Sequence, residues 1–271
     1  MKSLQPIKRS QFRIYMGTKY YRCRRYIDWV FDSKKYALQK ASTRLPHLIF
    51  THKTLLLREL KDVDMWLQHN KCKNLSIATS RLCNIVIKPG ETFSYWRLIG
   101  KTTKRKGYVE GMVLHYGKVT TGVGGGLCQL SNLIYWMTLH TPLTVTERYR
   151  HSYDVFPDSK RSQPFGSGAT CAFNYLDLQI KNETNHEYQL VVYLTDTHLV
   201  GEWRASVPAR RTYEVYEKDH RITAEYWGGY VRHNTIHRKV YNHEKQVVDD
   251  EFVTENHAIM MYEPLLTDGN K

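Results

Sequence analysis

Apolar residues recur along the chain at helical spacing in several stretches. In residues 74–87 the stripe consists of Leu75, Ala78, Leu82 and Ile85. Intervals of three and four residues predict a helix lying on a core. Residues 128–140 are apolar around most of their circumference, which predicts a helix enclosed by other elements and stopped by Pro142. Residues 20–40 place aromatic residues between charges, which predicts an amphipathic helix with a basic outer face.

Strand patterns fill most of the remaining chain. Alternating or β-branched segments predict strands in residues 92–95, 112–121, 143–156, 171–182, 188–205 and several more after Pro208. The predicted fold is α+β, with a mostly antiparallel sheet packed on a Cys-bearing core helix. A basic, partly helical segment (1–70) precedes the core domain (71–207), and a β-rich extension (208–271) follows it.

Positive charge is concentrated near the amino terminus. The formal charge is +14, and residues 1–62 hold fifteen basic and four acidic side chains. Such a region would attract an anionic surface or polymer, and an anionic membrane is the expected partner. An alternative is a solvated basic surface with no partner. The chain contains no recognised nucleic-acid-binding module, so no nucleic-acid partner is predicted.

The chain also lacks an apolar stretch of the roughly 18 residues that a membrane-spanning helix needs. Its start has no apolar core of a secretory signal. A cytoplasmic protein is therefore predicted, held near the membrane by its basic third. The cysteines agree with a reducing compartment, because the five are widely spaced and include no CxxC pair.

A glycine-rich loop stands directly before the enclosed helix. The segment GVGGGLCQ, residues 122–129, places Gly124, Gly125 and Gly126 just ahead of Cys128. Glycines can leave backbone N–H groups open to a ligand, and a helix N-terminus favours a thiolate. Cys128 is thus a candidate nucleophile, with the glycine loop, the Cys128 amide and Gln129 as candidate donors to an oxyanion. The alternative is a buried structural cysteine after a tight turn.

A thiolate catalyst needs a histidine and a group that orients it. His151 follows Cys128 by 23 residues, and Asp177 follows His151 by 26, between two leucines. The order cysteine, histidine, aspartate is that of transglutaminase-like folds, by analogy of arrangement only. Asp177 on the solvent face of a strand is the competing interpretation. A metal site formed by Cys128, His151 and Cys171, or a redox pair of the two cysteines, has no supporting spacing, so no metal and no cofactor is predicted.

Three segments together resemble the VanW family, known from the vancomycin B-type resistance operon. They are IKPGETFSYW with the following GVGGGLCQLSN loop, then HTPLTVTERYRHSYDVFP, then GATCAFNYLDLQIKN. Cys128, Gln129, His151, Asp177 and Asn182 occupy motif positions of this family. Gly168 stands where the family has an aspartate, so any role of that acid does not transfer.

The resemblance implies a link to glycopeptide resistance and the cell envelope, without naming a reaction. Two hypotheses follow from the residues and the family together. The first is a cysteine-dependent acyl-transferase or amide hydrolase acting on a cell-wall peptide or precursor, with Cys128, His151 and Asp177 as its triad. The second is a non-catalytic binding module in which the glycine loop and aromatic faces hold a peptide or glycan. Asn182 is included as a substrate-binding candidate.

Overall fold

A computed structural model describes residues 10–57, 64–115, 118–150, 153–155, 163–226 and 228–262. The helices are α1 (Gln11–Phe31), α2 (Met65–Leu82), α3 (Tyr95–Ile99) and α4 (Cys128–Thr138). Two of them begin at serine N-caps: the Ser10 hydroxyl accepts the Arg13 N–H at 3.3 Å, and Ser94 accepts that of Arg97 at 3.3 Å.

The strands, in chain order, are β1 (Lys35–Tyr36), β2 (His47–Leu55), β3 (Ile85–Ile87), β4 (Glu91–Ser94), β5 (Glu110–His115), β6 (Lys118–Val123), β7 (Thr144–Glu147), β8 (Tyr153–Asp154), β9 (Gln179–Lys181), β10 (Tyr188–Leu194), β11 (His198–Ala205), β12 (Thr212–Ala224), β13 (Tyr230–Tyr241) and β14 (Val247–Met260). They form sheets of order β1-β4-β9-β7, β2-β11-β10-β3 and β12-β13-β14-β8, and a β5-β6 hairpin. Only the β1–β4 and β14–β8 pairs among them are parallel. The predicted α+β class is confirmed.

The core lies between α4 and the sheet that contains β2 and β11. Leu130, Leu133 and Ile134 of α4 are buried, and so is Trp203 of β11. Gly201 of β11 lies close to α4 here, because a Cβ there would lie 2.5 Å from the terminal methyl of Met137 and that side chain would have to move. The predicted enclosed helix is confirmed, and it begins at Cys128.

Three predicted elements differ in detail. The helix predicted over residues 20–40 is α1, which runs from Gln11 to Phe31 and is followed by β1. The helix predicted over residues 74–87 ends at Leu82, because Asn84 turns the backbone (φ 67°) and Ile85–Ile87 pairs with β10. A strand was predicted to contain Asp177, but β9 begins at Gln179.

Both predicted domain boundaries can be placed on the fold. Residue 70 falls inside α2, and β2 from the predicted amino-terminal segment pairs along its length with β11. The boundary after residue 207 falls between β11 and β12. The β-rich extension contacts the end of α4, where the Arg238 guanidinium donates to the Leu139 and Thr141 carbonyls at 3.1 and 3.0 Å.

Candidate functional site

The glycine loop is folded tightly onto its own chain. Gly124 and Gly126 have positive φ, at 82° and 89°. A Cβ on Gly125 would lie 2.2 Å from the backbone of Gly111 in β5. Glycine is therefore required here by backbone conformation and by close packing between two backbone segments.

The backbone donors of this loop are already used. The N–H groups of Gly124, Gly125 and Gly126 donate to carbonyls of Val109, Gly122 and Met112 at 2.9 to 3.0 Å. These three amides are therefore used within the fold, while the Cys128 amide as an oxyanion donor stays a prediction. They hold the loop against the β5–β6 hairpin.

A buried asparagine missed in the sequence holds the same loop. The Asn74 side chain, on α2, donates to the Gly125 carbonyl at 2.9 Å and to the Val109 carbonyl at 3.0 Å. Its own oxygen accepts the Val109 N–H at 2.9 Å. Its position one residue before Leu75 in the apolar stripe was the available signal, since a polar side chain there must find partners inside the core.

Cys128 stands at the helix start, as predicted, but its thiol is held neutral. Burial raises the pKa of Cys128 above its ordinary value of 9.0, against weaker stabilisation of the thiolate by backbone hydrogen bonds. The nearest polar partner is the Cys171 carbonyl oxygen, 4.0 Å from Sγ. This direction of the Cys128 pKa opposes the expected thiolate at neutral pH, and the role of Cys128 as a nucleophile stays a prediction.

The ionisable groups around Cys128 also have raised pKa values. Burial raises the pKa of Cys171 and of Tyr95 well above their ordinary values, and neighbouring Cys128 and Asp177 raise both further. The Tyr95 hydroxyl donates to the Leu127 carbonyl at 3.0 Å, just before the start of α4. Two half-buried thiols and the buried Tyr95 phenol thus form a cluster of groups whose pKa values are raised.

Asp177 is completely buried, so the alternative of a solvent-facing carboxylate is wrong. It accepts the Ser94 hydroxyl at 2.5 Å and the Trp96 N–H at 2.9 Å, and the Gln179 amide lies at 3.4 Å. Burial raises the pKa of Asp177 to about 6, although these hydrogen bonds oppose the rise. In this geometry Asp177 secures the N-terminus of α3.

His151 lies outside the described residues. The structure therefore gives no separation between the Cys128 sulfur and the imidazole, and the triad of Cys128, His151 and Asp177 stays a prediction. Among the described residues, no three His, Cys, Asp or Glu side chains gather into a metal-binding group.

The two remaining candidates connect parts of the fold. The Gln129 amide donates to the Leu55 carbonyl at 2.8 Å and to the Thr54 hydroxyl at 2.9 Å, which joins α4 to β2. The Asn182 amide donates to the Ile87 and His186 carbonyls at 2.8 and 2.7 Å. Both amide nitrogens are thus occupied by contacts within the protein.

Two consecutive residues that sequence reasoning passed over connect the site to its surroundings. The Glu147 carboxylate accepts from Arg25 of α1 at 2.7 Å and from the Asp177 N–H at 3.2 Å. The Arg148 guanidinium lies 4.9 Å from the Tyr135 ring centroid and donates to the Gly168 carbonyl at 2.9 Å. It also donates to Thr254 of β14 at 3.1 Å. The sequence signal for these two residues was a pair of adjacent, oppositely charged side chains within a predicted strand.

Comparison with known proteins assigns the family. The family described as VanW like protein matches residues 70–204, which include the glycine loop, Cys128 and Asp177. The chain is 37% identical over 190 residues to the vancomycin B-type resistance protein VanW of Enterococcus faecalis (strain ATCC 700802 / V583). The match covers 70% of this chain and 69% of that protein. The chain belongs to the VanW family.

A second relative is more distant. It is the uncharacterized protein YoaR of Bacillus subtilis (strain 168), 30% identical over 119 residues, which are 43% of this chain and 37% of that protein. No solved structure matches the chain. Helix α1 and the strands β12–β14 lie outside the range matched to the VanW family.

Proposed function

We propose that this VanW-family protein acts in glycopeptide resistance as a non-catalytic accessory module that binds a cell-wall muropeptide precursor. The observation that carries the proposal is the occupation of the motif residues by the fold. The loop amides, Gln129, Asn182 and Asp177 have partners within the protein, and the Cys128 thiol is held neutral. The resistance context comes from the printed name of the Enterococcus relative.

The surface best suited to a sugar ring is a row of aromatic side chains across the C-terminal sheet. Tyr216, His237 and Phe252 are register partners on β12, β13 and β14. Ring centroids are 5.8 Å apart between the first two and 5.6 Å apart between the last two. Phe252 is 61% exposed. The Tyr216 and His237 rings are tilted by 38°, and His237 meets Phe252 edge-on at 84°, so the exposed Phe252 ring would offer its face to the apolar side of a sugar ring.

Acidic side chains beside the row would serve the hydroxyl and amide donors of a muropeptide. Asp250 accepts the Tyr216 hydroxyl at 2.7 Å and lies 3.6 Å from the His237 ring nitrogen. This contact fixes the tyrosine ring, so the aromatic row is preorganised before a ligand arrives.

The test measures binding and turnover on one ligand. Purified protein is titrated with a muramyl pentapeptide by calorimetry, and the mixture is then examined by mass spectrometry for cleaved or transferred peptide. We expect binding without turnover, unchanged in Cys128→Ala and weakened about fivefold or more in Phe252→Ala. Val248→Ala, at an exposed position on the same strand but outside the row, is the matched control.

Two results would overturn the proposal. Product that forms with wild-type protein and not with Cys128→Ala would establish the cysteine-dependent acyl-transfer hypothesis instead. Absence of binding by the wild-type protein would remove the muropeptide as the ligand.

A further inference from the structure

Helix α1 is attached to the protein by its polar side. Ile14, Thr18, Arg22, Arg25 and Trp29 are half-buried and recur at intervals of four, four, three and four. Arg22 donates to the Phe173 carbonyl at 2.9 Å, and Arg25 pairs with Glu147. The predicted basic outer face is therefore wrong for these two arginines, which face inward and are matched there by acceptors.

The opposite side of α1 is apolar and exposed. Its stripe consists of Phe12, Met16, Tyr20, Ile27 and Phe31, with exposed fractions of 74%, 49%, 61%, 56% and 80%. At 100° per residue, spacings of four, four, seven and four keep these side chains on one face. Val30, 74% exposed, extends it. Soluble monomers rarely leave an apolar stripe of this kind uncovered.

Basic residues border this stripe on both sides. Lys19 lies along one edge, and Arg13 and Arg24 lie along the other, all exposed. Asp28 is the one acidic residue of the helix. The sequence before the helix adds Lys2, Lys8 and Arg9. An apolar stripe bordered by cations complements a surface that is apolar within and anionic at its edge.

We propose that α1 lies in the headgroup region of an anionic lipid membrane, with the apolar stripe inserted and the bordering cations on lipid phosphates. A second copy of the chain is a poorer occupant, because the same cations would face one another across such an interface. In the described part of the chain, no helix is long and apolar enough to cross a membrane, so α1 would lie along the surface. The proposal rests on α1 alone and is independent of the muropeptide ligand.

The experiment is co-sedimentation of the full chain with vesicles of phosphatidylglycerol and phosphatidylcholine, compared with phosphatidylcholine alone. We expect binding to the anionic vesicles only, weakened when salt rises from about 0.1 to about 0.5 M. The double variant Phe12→Gln/Phe31→Gln should lower the partition coefficient about tenfold or more. Lys19→Gln/Arg24→Gln should weaken binding to anionic vesicles while leaving the stripe intact.

Val247→Gln, at an exposed apolar position on β14, is the matched control and should change binding less than about twofold. Circular dichroism of each variant verifies that it is folded. Failure of the wild-type protein to bind anionic vesicles would overturn the proposal, as would equal binding by the Phe12→Gln/Phe31→Gln variant. Dimerisation in sedimentation velocity that this variant abolishes, without vesicle binding, would assign the face to a second copy. Phe252→Ala, which tests the muropeptide proposal, should bind vesicles like wild type.

Discussion

At the scale of single residues, a thiol at the start of a helix experiences two opposing effects. The first-turn N–H groups and the helix dipole stabilise the thiolate, while removal of water stabilises the neutral thiol. At Cys128 the second effect is the larger, and the pKa rises. Asp177 experiences the same competition, with its pKa near 6 despite two short hydrogen bonds. The ionised forms of Cys128 and Asp177 are therefore less populated at neutral pH than the positions of these residues in the motif imply.

The reactivity of Cys128 follows from this pKa. Iodoacetamide alkylation of the folded protein, followed by peptide mass spectrometry, should show slow modification of Cys128 with a midpoint above pH 9. Exposed Cys23 in the same sample is the internal control and should react faster. Equal rates for the two cysteines at pH 7 would contradict a raised pKa at the half-buried Cys128 thiol.

Asp177 should matter for stability whether or not the protein is an enzyme. Asp177→Ala leaves the Ser94 hydroxyl and the Trp96 N–H buried without their acceptor, which should cost about 1–3 kcal/mol for each donor. Asp177→Asn keeps one acceptor oxygen and should cost less. Urea unfolding measures both free energies, and an alanine variant as stable as wild type would remove the structural role.

At the scale of elements, the glycine loop and the β5–β6 hairpin are fitted to each other by backbone contact. Asn74 of α2 holds the two together, so three elements meet at one buried amide. This junction lies directly before the start of α4 at Cys128. Helix α1 shows the opposite case, an element attached by a few polar contacts with its apolar side left outside.

A single methyl group should distinguish the tight loop from an open one. Gly125→Ala would place Cβ 2.2 Å from the Gly111 backbone, and the forced shift should cost about 1–3 kcal/mol or more. Gly17→Ala is the matched control, because a Cβ there would have no described atom within 4 Å apart from the neighbouring backbone of its own helix. In the interior of α1 that change should stabilise the helix by about 0.5–1 kcal/mol. If Gly125→Ala and Gly17→Ala change the urea unfolding midpoint by the same amount, the loop has space for a Cβ at residue 125.

Some parts of the fold and the site can be predicted from the sequence and others cannot. The difference is how far apart in the chain the residues that determine each part lie. The periodicity of residues 128–140 predicts α4 correctly from its first residue. A helix that is apolar on all sides is stable only when other elements enclose it. The short apolar run Ile85–Ile87 does not distinguish helix end from strand, and its pairing with β10 decides the outcome. The Cys171 carbonyl that contacts the Cys128 thiol lies 43 residues away in the chain, and local sequence patterns do not reveal such a contact.

At the scale of the whole molecule, two buried titrating groups act on stability in opposite directions. His140 stacks on Phe50 with centroids 3.9 Å apart, and burial lowers its pKa to about 4. Its ordinary value is 6.5, so the unfolded chain binds the proton more readily, and stability falls as pH drops from about 6.5 to about 4. Asp177 titrates near 6 in the fold and at 3.8 ordinarily, so its contribution is complete below about pH 3.8 and is lost as pH rises through 6.

Single variants should separate the two contributions. His140→Gln removes the group that favours high pH, so its unfolding free energy should rise less between pH 4 and 6.5 than that of wild type. Asp177→Asn removes the opposing group, so its unfolding free energy should rise more steeply over the same range. Urea titrations at several pH values measure both slopes. Parallel curves for the three proteins would show that neither group is perturbed.

The neighbours Glu147 and Arg148 point to partners on either side of the family-matched range, one on α1 and the other on β14. A protein trimmed to residues 70–204 would therefore keep both charges while losing the groups that neutralise or bind them. It would lose β2 as well, and with it the neighbour of β11. The flanking regions are thus part of what makes the central region a stable body, and a recombinant fragment cut at the family limits would be a poor substitute for the full chain.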